Sequence, residues 1–446
     1  MTTDYPALLD PDWEAIAPAD LARAEAEALR KQAEYVFEAS PFYHRKFAEA
    51  GIEPEAIRSP EDLAKLPFTT KAELRESQER EPPFGDFLAC DPTQVSRIHR
   101  TSGSTGQFVY TALSAADVDW TTRVGSRAFW AAGLRPHHRV VHCLNYQLWM
   151  GGYTDHANLE RTGAAVMPFG VGNTKLLVRV IRDAGIDAIS GTPSYPRVLE
   201  NAVREELGIE PCELGLKLGL FGGEPALEDP AFRIHLEETW DMRARNANYG
   251  VSDILCNFAS VCDHSEDLHY LGAGAMIPQL VDPETGEPIA IREGARGELV
   301  GTSINKQAQP LLRYRTRDVL EITGTGPCRC GRTGFRFRVV GRADDMLHVR
   351  GINVFPSGIA KVLTALRPAV TGEFQVVLDH PPPYEGLDVT VEEGEGAAEV
   401  ERPALVARVS QALKAELNFT ARLVLVPAGA IPRTEMGKAI RVKRGY

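Results

Sequence analysis

The sequence predicts an α/β fold: a large N-terminal domain of layered sheets and helices, which includes a β-rich subdomain, and a small α+β C-terminal domain. Strand-like and helix-like segments alternate through the first half of the chain, and short strands with turn signals run from about Asp263 to Val340. The pattern changes again after GRADD at 341–345. The 446 residues, 43% of them hydrophobic, suffice for two or three domains, and we place the boundary between 1–341 and 342–446.

The N-terminal half supplies the alternation. Asp20 to Ala39 is an Ala/Glu-rich stretch that predicts a long helix. The segments RVVHCLN, AAVMPF and DAISGT predict strands, and TKLLVRVIRDAG and PRVLENAVREEL predict the helices between them. Such alternation predicts α/β layers with much parallel pairing.

The remaining elements follow from turn signals and short apolar runs. DPETGEP and GTGP mark turns inside the β-rich stretch. EFQVVLD and LDVTVEE predict strands of the last domain, and PALVARVSQALKAEL predicts its helix. A domain of roughly 100 residues suits this set.

Charge and cysteine content exclude several classes of function. The 49 basic and 61 acidic residues give a net charge of −12, which argues against general binding to nucleic acid or to an anionic membrane. We find no apolar run of about 18 residues and no signal-peptide pattern, so a cytoplasmic protein is expected. The seven cysteines are then expected to be reduced or to hold a metal.

The segment RIHRTSGSTGQFVY, Arg97 to Tyr110, contains the first candidate site. Glycine permits tight backbone geometry around phosphate, and Ser and Thr add hydroxyl donors. The pattern G-x-x-x-x-G-K-[ST] is not matched, because Phe108 and Val109 follow Gln107. On composition alone the loop is either a polyphosphate site or a hydroxyl-rich surface turn.

Further motifs accompany this loop in order: SGTPSYP, FGGEP, NYGVSD, YRTRD, GRADDMLHVRGINVFP and PRTEMGKAIRV. Together they resemble the acyl-adenylate-forming superfamily, most closely its phenylacetate-CoA ligase branch, over about 350 residues from PPFGDF to the C-terminus. The resemblance implies that a carboxylic acid reacts with ATP and Mg²⁺ to an acyl-adenylate, with release of pyrophosphate. The acyl group then passes to coenzyme A.

The resemblance implies roles for the residues of the loop and of NYGVSD. The triphosphate would be bound by Thr101, Ser102, Gly103, Ser104, Thr105 and Gly106. Gln107 stands where relatives commonly carry Lys, which removes one charge next to the leaving pyrophosphate. Asp253 and the hydroxyl of Thr105 would serve Mg²⁺, and Asp, being shorter than the usual Glu, favours coordination through water.

The same resemblance implies the rest of the nucleotide site. Tyr249 and Gly250 would flank the adenine, and Gly223, Glu224 and Pro225 would form the loop beside its edge. Asp318 would accept both ribose hydroxyls and Arg342 would contact ribose or phosphate, although the two residues could equally form an ordinary ion pair.

Three motifs of the C-terminal domain complete the implied chemistry. Lys438 matches the lysine that bridges the substrate carboxylate and the α-phosphate during adenylation; otherwise it is a solvated terminal lysine. Asp344 matches the hinge about which the small domain rotates between the two reactions. Arg350 and Gly351 would then line the approach of the CoA thiol.

Cysteine spacing predicts a second metal site. CDHSEDLH and CRCG offer four ligands of types that suit a closed tetrahedral zinc site, structural rather than catalytic: Cys262, His269, Cys328 and Cys330. A zinc-bearing subset of the branch shows a similar arrangement. His264 and, less readily, Cys256 are competing ligands, and unligated buried thiols are the alternative.

The acid pocket and the acceptor are less defined. Within NYQLWMGGY, Tyr146, Leu148 and Trp149 would wall the pocket for a planar apolar acid, or be plain core. With the resemblance this favours an aryl or arylacetic acid, and Gln147 and Trp149 indicate an altered pocket shape. Transfer to an amine or a carrier-protein thiol, a non-catalytic nucleotide or acyl sensor and, without specific support, an oxygenase are the rivals. The resemblance leaves a homodimer open.

Overall fold

The structure is a computed structural model, and it describes residues 5–101, 109–350, 352–381, 384–394, 402–431 and 441–445. Its α-helices are α1 (Pro11–Glu14), α2 (Pro18–Ala39), α3 (Pro41–Ala50), α4 (Lys71–Arg80), α5 (Ala115–Ala131), α6 (Met150–Arg161), α7 (Thr174–Asp183), α8 (Tyr195–Leu207), α9 (Pro230–Trp240), α10 (Pro356–Thr364) and α11 (Arg402–Leu417). Short 3₁₀ helices include Pro225–Glu228 and Ala343–Asp345.

The strands are β1 (Val95–Arg100), β2 (Tyr110–Ser114), β3 (Arg139–His142), β4 (Ala165–Pro168), β5 (Ala188–Gly191), β6 (Leu218–Gly222), β7 (Arg243–Val251), β8 (Leu255–Cys262), β9 (Ser265–Tyr270), β10 (Met276–Val281), β11 (Pro288–Ile289), β12 (Arg296–Ser303), β13 (Tyr314–Gly324), β14 (Arg336–Arg342), β15 (Leu347–Val349), β16 (Ile352–Val354), β17 (Val370–Leu378), β18 (Leu387–Glu393), β19 (Ala421–Val426) and β20 (Val442–Arg444). None of the helices in the described part of the chain is long and apolar enough to cross a membrane.

The predicted alternation produces a parallel sheet. β3 pairs in parallel with β4 and β5, β5 pairs with β6, and β6 pairs with β7. Helices α6, α7, α8 and α9 fall between these strands along the chain, as βαβ crossovers require. The α/β class predicted from the sequence is confirmed.

An apolar layer covers this parallel sheet. Leu177, Val178 and Ile181 recur at helical spacing on α7 and are completely buried against a core that includes Phe221 of β6 and Trp240 of α9. Burying one such side chain contributes about 1.5–3 kcal/mol. This layer fixes the strands whose carboxyl ends lead into the candidate site.

Strand β7 is where pairing changes direction. It pairs in parallel with β6 and antiparallel with β8, and β8 pairs antiparallel with β9. The largest sheet formed by the described residues has the order β11-β10-β12-β13-β14-β9-β8-β7-β6-β5-β3-β4. The β-rich subdomain predicted from about Asp263 therefore continues the α/β sheet, and it already begins at β7.

The predicted helix over 20–39 is α2, which starts two residues earlier at Pro18. Proline is compatible with the first turn of a helix, because the N–H that it lacks would have no intrahelical partner there. Its buried face includes Leu29, Ala33 and Val36.

The chain divides into two compact units, one of residues 1–316 with 321–338 and one of residues 317–320 with 339–446. In the second unit, β19, β18, β17 and β20 form a mixed sheet. Burial alternates strictly along β17, so one face packs on a core that includes Val376 and Val389, together with Leu363 of α10 and Val409 of α11. The predicted α+β character of this region is confirmed.

Candidate functional site

The glycine- and hydroxyl-rich segment is carried by a β-hairpin. β1 and β2 pair antiparallel up to Arg100 opposite Tyr110. Beyond that pair, the Thr101 N–H donates to the Val109 carbonyl at 3.0 Å, and the Val109 N–H donates to Thr101 Oγ1 at 3.2 Å. Thr101 is therefore held at the base of the hairpin, whereas Ser102, Gly103, Ser104, Thr105 and Gly106 lie outside the described residues.

Tyr249 and Gly250 lie near the end of β7. The Tyr249 ring contacts Phe258 and Phe337 edge-on, with centroid distances of 5.3 and 5.4 Å. A Cβ atom at Gly250 would lie only 1.7 Å from the Cys256 carbonyl oxygen of β8, so the close approach of the two strands requires glycine there. Packing against neighbouring strands therefore fixes the positions of both Tyr249 and Gly250.

The FGGEP segment follows the adjacent strand β6. Gly223 has φ of +80°, a conformation that favours glycine, and Glu224 leads into the 3₁₀ helix Pro225–Glu228. The side chain of Pro225 is not among those described. Since Gly222 of β6 is opposite Asn248 of β7, this loop and Tyr249 follow neighbouring positions of two paired strands.

In the described part of the chain, Asp253 has three hydrogen-bonding partners, Lys71, Tyr314 and Lys306, and the motifs connect none of them with it. Its Oδ1 accepts from the Lys71 ammonium at 2.5 Å, and its Oδ2 accepts from the Tyr314 hydroxyl at 3.0 Å. The buried Lys306 ammonium donates to the Asp253 backbone carbonyl at 3.0 Å. One cation and a phenol therefore hold the carboxylate that the resemblance assigns to Mg²⁺, and a second cation holds the backbone of the same residue.

Lys71 reaches Asp253 because a capping box starts α4 at this point. Thr70 accepts from the Glu73 N–H, while Glu73 accepts in return from the Thr70 N–H. Thr69 also exchanges backbone hydrogen bonds with Arg313 and Arg315, on either side of Tyr314. The capping box was a local signal for the helix start, but nothing in the local sequence indicates the contact with Asp253.

Asp318 and Arg342 form an ion pair with an N–O distance of 3.0 Å, and Arg342 forms a second one with Asp344, also at 3.0 Å. Burial opposes the charge of Arg342, but the carboxylates of Asp318 and Asp344 outweigh it and raise its pKa. Both partners lie in the second unit, with Asp344 inside the 3₁₀ helix Ala343–Asp345. The ion-pair alternative is thus observed, and an ion-paired carboxylate can also accept hydrogen bonds from ribose hydroxyls.

Arg350 directly follows β15, has φ of +51° and lies 3.8 Å from the carboxylate of Glu385. It also lines a cavity of about 230 Å³ whose walls include Ile352, Lys414 and Phe419. Gly351, which connects β15 to β16, and Lys438 near the C-terminus lie outside the described residues.

The predicted acid pocket segment leads into α6. The Tyr146 hydroxyl contacts His156 Nδ1 at 2.9 Å, and His156 Nε2 lies 3.3 Å from Glu160 on the next turn of the helix. Trp149 is the residue that precedes the first turn of α6, whereas Leu148 has φ of +61° and is 51% exposed. The segment thus carries a Tyr–His–Glu chain that the sequence did not indicate.

The four predicted zinc ligands converge. Cys262 ends β8, His269 lies on β9, and Cys328 and Cys330 lie in the turn between β13 and β14. Their ligand atoms all lie within 4.8 Å of one another. Cys262 Sγ is 3.3 Å from His269 Nε2 and 3.9 Å from Cys328 Sγ, and Cys330 Sγ is 3.9 Å from the same nitrogen.

These distances and donor types fit zinc. Tetrahedral coordination with Zn–S bonds of about 2.3 Å separates two sulfur ligands by roughly 3.8 Å. Of the competing ligands, Cys256 is held by Asp155 elsewhere, and His264 donates only its backbone N–H to Cys262 Sγ, at 3.3 Å. All seven cysteines are free of disulfides.

For magnesium, the observed donors are the carboxylate oxygens of Asp253, which are of the type that Mg²⁺ prefers. The neighbouring ammonium of Lys71 occupies one lone pair of Oδ1, and each carboxylate oxygen keeps another. The donor chemistry therefore fits a magnesium ion held through Asp253, whereas Thr105 is not among the described residues.

Comparison with known proteins gives consistent matches. Residues 351–444 match the family described as AMP-binding enzyme C-terminal domain. The phenylacetate-coenzyme A ligase of Thermus thermophilus is 34% identical, and the alignment covers 98% of this chain and 99% of that protein. The phenylacetate-coenzyme A ligase of Escherichia coli K12 is 33% identical, with 95% of this chain and 94% of that protein covered.

Among solved structures, 2-hydroxyisobutyryl-CoA ligase in the postadenylation state, in complex with R3-HIB-AMP, superposes with a TM-score of 0.87. It is 28% identical, and the match covers 100% of this chain and 94% of that chain. The same ligase with 2-HIB-AMP and CoA in its thioesterification state superposes with a TM-score of 0.71. The matches therefore extend over the full length of both units.

Proposed function

The chain belongs to the phenylacetate-CoA ligase family, and from that premise we propose that it converts an aromatic acid, aryl or arylacetic, into its CoA thioester. It is an AMP-forming acid–thiol ligase, which activates a carboxylic acid with ATP to an acyl-adenylate and then transfers the acyl group to CoA. The observation that carries this conclusion is identity of 34% over 98% of the chain to a phenylacetate-coenzyme A ligase. The aromatic nature of the acid is our proposal.

The first half-reaction brings a carboxylate to an α-phosphorus against charge repulsion, so donors and cations must screen both groups. We assign the triphosphate to the segment from Thr101 to Gly106 and the neutralisation of the reacting oxygens to Lys438. Magnesium bound through Asp253 would supply further positive charge at the leaving phosphates.

Asp253 needs to be held in place, because one methylene less than Glu shortens its reach. The Lys71 ammonium and the Tyr314 hydroxyl fix both carboxylate oxygens, and Lys306 fixes the backbone of the same residue. We assign Lys71 a positioning role and a second one, to supply local positive charge where Gln107 supplies none.

The nucleoside part of ATP requires one set of residues for the adenine and another for the ribose. We assign the adenine to Tyr249, Gly250 and the loop Gly223–Pro225, which are adjacent through the pairing of β6 with β7. We assign the ribose hydroxyls to Asp318, whose carboxylate is oriented by Arg342.

In the second half-reaction, the CoA thiol must reach the acyl group at the site where the residues used for adenylation acted before. We propose that the C-terminal domain, residues 342–446, rotates about Asp344 between the two steps, and that Arg350 and Gly351 then line the approach of CoA. We assign the Cys₃His cluster a structural zinc ion, since all four ligand positions are filled by protein and no position is open to substrate.

The test is pyrophosphate release from ATP and Mg²⁺ with a panel of benzoic, phenylacetic, indoleacetic, 2-hydroxyisobutyric and fatty acids, with and without CoA. We expect acid-dependent release with aromatic acids and AMP turnover that requires CoA. A preference for the branched hydroxy acid would contradict the aromatic assignment. Acid-dependent release without CoA-dependent AMP turnover would indicate a different acceptor, such as an amine or a carrier-protein thiol, and no release by folded protein would favour a sensor.

A further inference from the structure

A buried carboxyl group lies behind the predicted acid pocket. Asp155 on α6 is completely buried, and it accepts hydrogen bonds from the amides of Asn248 and Asn158, the latter at 3.0 Å, and from the Cys256 thiol at 3.7 Å. In the part of the chain that the structure describes, no Lys, Arg or His forms an ion pair with it. A carboxyl group without a cation is costly to bury, so its position calls for an explanation.

The location of Asp155 connects the acid pocket segment with the nucleotide motif. A Cβ atom at Gly151, in the first turn of α6, would lie 3.4 Å from Asp155 Oδ2 and 3.5 Å from the Trp149 indole. The carboxyl group and the predicted pocket wall therefore face the same glycine. On its other side, Asp155 Oδ2 accepts from Asn248, the residue before Tyr249.

The hydrogen-bonding capacity of Asp155 is only partly used. A carboxylate can accept about four hydrogen bonds. Oδ1 has two donors, the Asn158 amide and the weaker Cys256 thiol, whereas Oδ2 has the Asn248 amide. Among the described residues, Oδ2 thus has the fewer donors, and it is the oxygen next to Gly151, where the missing Cβ leaves a gap of about one methyl group.

The groups that hydrogen-bond to Asp155 are polar, although Cys256 also packs in an apolar cluster with Leu113 and Met150. Asn158 is completely buried and its Oδ1 has no partner among the described atoms, and Cys256 is buried as well. Burial raises the pKa of Asp155 to about 7. Near neutral pH the group is therefore present both as a carboxylate, which only accepts hydrogen bonds, and as a carboxylic acid, which also donates one. These groups suit a ligand that brings its own hydrogen-bond donor.

We propose that Asp155 is a specificity-determining residue that recognises an amino or hydroxyl substituent on the aromatic ring of the acid, placed next to Gly151 and Trp149. The inference rests on the proposed function, because it refines the substrate class of the same site. Both substituents share the required chemistry, an N–H or O–H donor, and a site that pairs such a donor discriminates against analogues that lack it.

The test compares acids that differ only in the donor. Benzoic and phenylacetic acids with an amino, hydroxyl or methyl group at ortho, meta or para positions are assayed for CoA-dependent pyrophosphate release. At one ring position we expect kcat/KM for the amino or hydroxyl acid to exceed that for the methyl acid by about 10- to 100-fold. The amino and hydroxyl arms identify which donor is preferred.

Variants separate recognition from a structural role. Asp155→Ala is expected to lower the ratio of kcat/KM between donor-bearing and methyl acids by about 10-fold or more, and Asp155→Asn, which keeps an acceptor oxygen, by less. Glu25→Gln serves as the matched control, because Glu25 on α2 is another buried carboxyl group whose pKa burial raises to about 7. It is expected to keep the wild-type ratio.

The outcomes distinguish this inference from the proposed function. If the wild type activates methyl and donor-bearing acids equally at every position, the inference fails and the ligase assignment stands. If Asp155→Ala reduces activity on both kinds of acid by the same factor, Asp155 has a structural role only. If folded wild type activates no aromatic acid, the aromatic assignment fails, and this inference with it.

Discussion

At the scale of single residues, the chemistry depends on contacts between side chains that are far apart in the sequence. Asp253 accepts from Lys71, 182 residues earlier, and from Tyr314, 61 residues later. A short carboxylate of this kind is useful only if its oxygens are fixed. If Asp253 serves Mg²⁺ as proposed, its partners are expected to matter for ATP use as much as the carboxylate itself.

We predict that Lys71→Met lowers kcat/KM for MgATP by about 10- to 100-fold, because the charge and the hydrogen bond to Asp253 are both lost. Lys71→Arg should recover part of the loss. Initial rates of pyrophosphate release and calorimetric titration with ATP at several Mg²⁺ concentrations measure the effect. Lys65→Met is the control, since that lysine pairs with Asp62 on the surface. Equal rates for the Lys71 and Lys65 variants would disprove the role of Lys71.

The same residues show what the sequence could and could not predict. Cys328 and Cys330 are two positions apart, and Cys262 and His269 seven, so their shared chemistry is visible locally. Lys71 looks like an ordinary helix-start lysine, and Asp155 lies in a helix whose sequence gives no sign of burial. Contacts made only by tertiary packing leave no local pattern.

At the scale of elements, the pattern of strands and helices was predictable because hydrophobic periodicity reflects burial directly. The helix predicted over 20–39 and the strands β3, β4 and β5 agree with the structure within a few residues. The order of strands in the sheet was not predictable. For example, β14 lies between β13 and β9, and the pairing with β9, which is distant in the sequence, depends on long-range packing.

The turn between β13 and β14 tests the zinc assignment. We predict about one zinc ion per chain by elemental analysis, with loss of zinc and a lower Tm for Cys328→Ser/Cys330→Ser, because their thiolates are half of the ligands. Cys212→Ser changes an exposed cysteine outside the cluster and should retain the metal. The assignment would be refuted if the purified protein contained no zinc and bound none after incubation with added zinc.

Helix α2 makes stability depend on pH. Burial, with the nearby charge of Glu61, raises the pKa of Glu25 to about 7, above its unfolded value of 4.5. Between these values the folded chain binds a proton that the unfolded chain does not, so stability falls as pH rises. The slope is at most about 1.4 kcal/mol per pH unit.

We therefore predict that Glu25→Gln increases the stability at pH above about 7 relative to wild type, and has a much smaller effect near pH 4. Urea unfolding across this range measures the difference. The conservative change Glu34→Gln is the control, because the side chain of Glu34 on the same helix is 42% exposed and pairs with Arg30 at the surface. A difference that does not vary with pH would show that Glu25 is not protonated in the folded protein.

At the scale of the whole molecule, the two half-reactions are proposed to use different parts of the C-terminal domain. Lys438 is assigned to adenylation, whereas Arg350 and Gly351 are assigned to the approach of CoA. The reactions should therefore be separable by substitution, even though one chain performs both.

We predict that Lys438→Ala lowers the rate of acyl-adenylate formation by about 100-fold or more, since the loss is of a charge that stabilises the transition state. Transfer from a supplied acyl-adenylate to CoA should change by less than about 10-fold. Separate assays of pyrophosphate release and thioester formation measure the two steps. Lys443→Ala, at an exposed position on β20, is the control. Equal losses in both steps would contradict the assignment of Lys438 to adenylation alone.

The placement of Asp253 between Lys71 and Tyr314 also bears on synthesis of the chain by the ribosome. The carboxylate acquires both partners only when residue 314 has emerged and folded back beside residue 71. A nascent chain that ends before β13 contains β1, β2 and all of β7, but it lacks the Tyr314 contact that helps to hold Asp253, the carboxylate proposed to bind Mg²⁺. If Asp253 serves ATP as proposed, such unfinished chains would bind little cellular ATP, and competence for the nucleotide would arise only after β13 has folded beside residue 71.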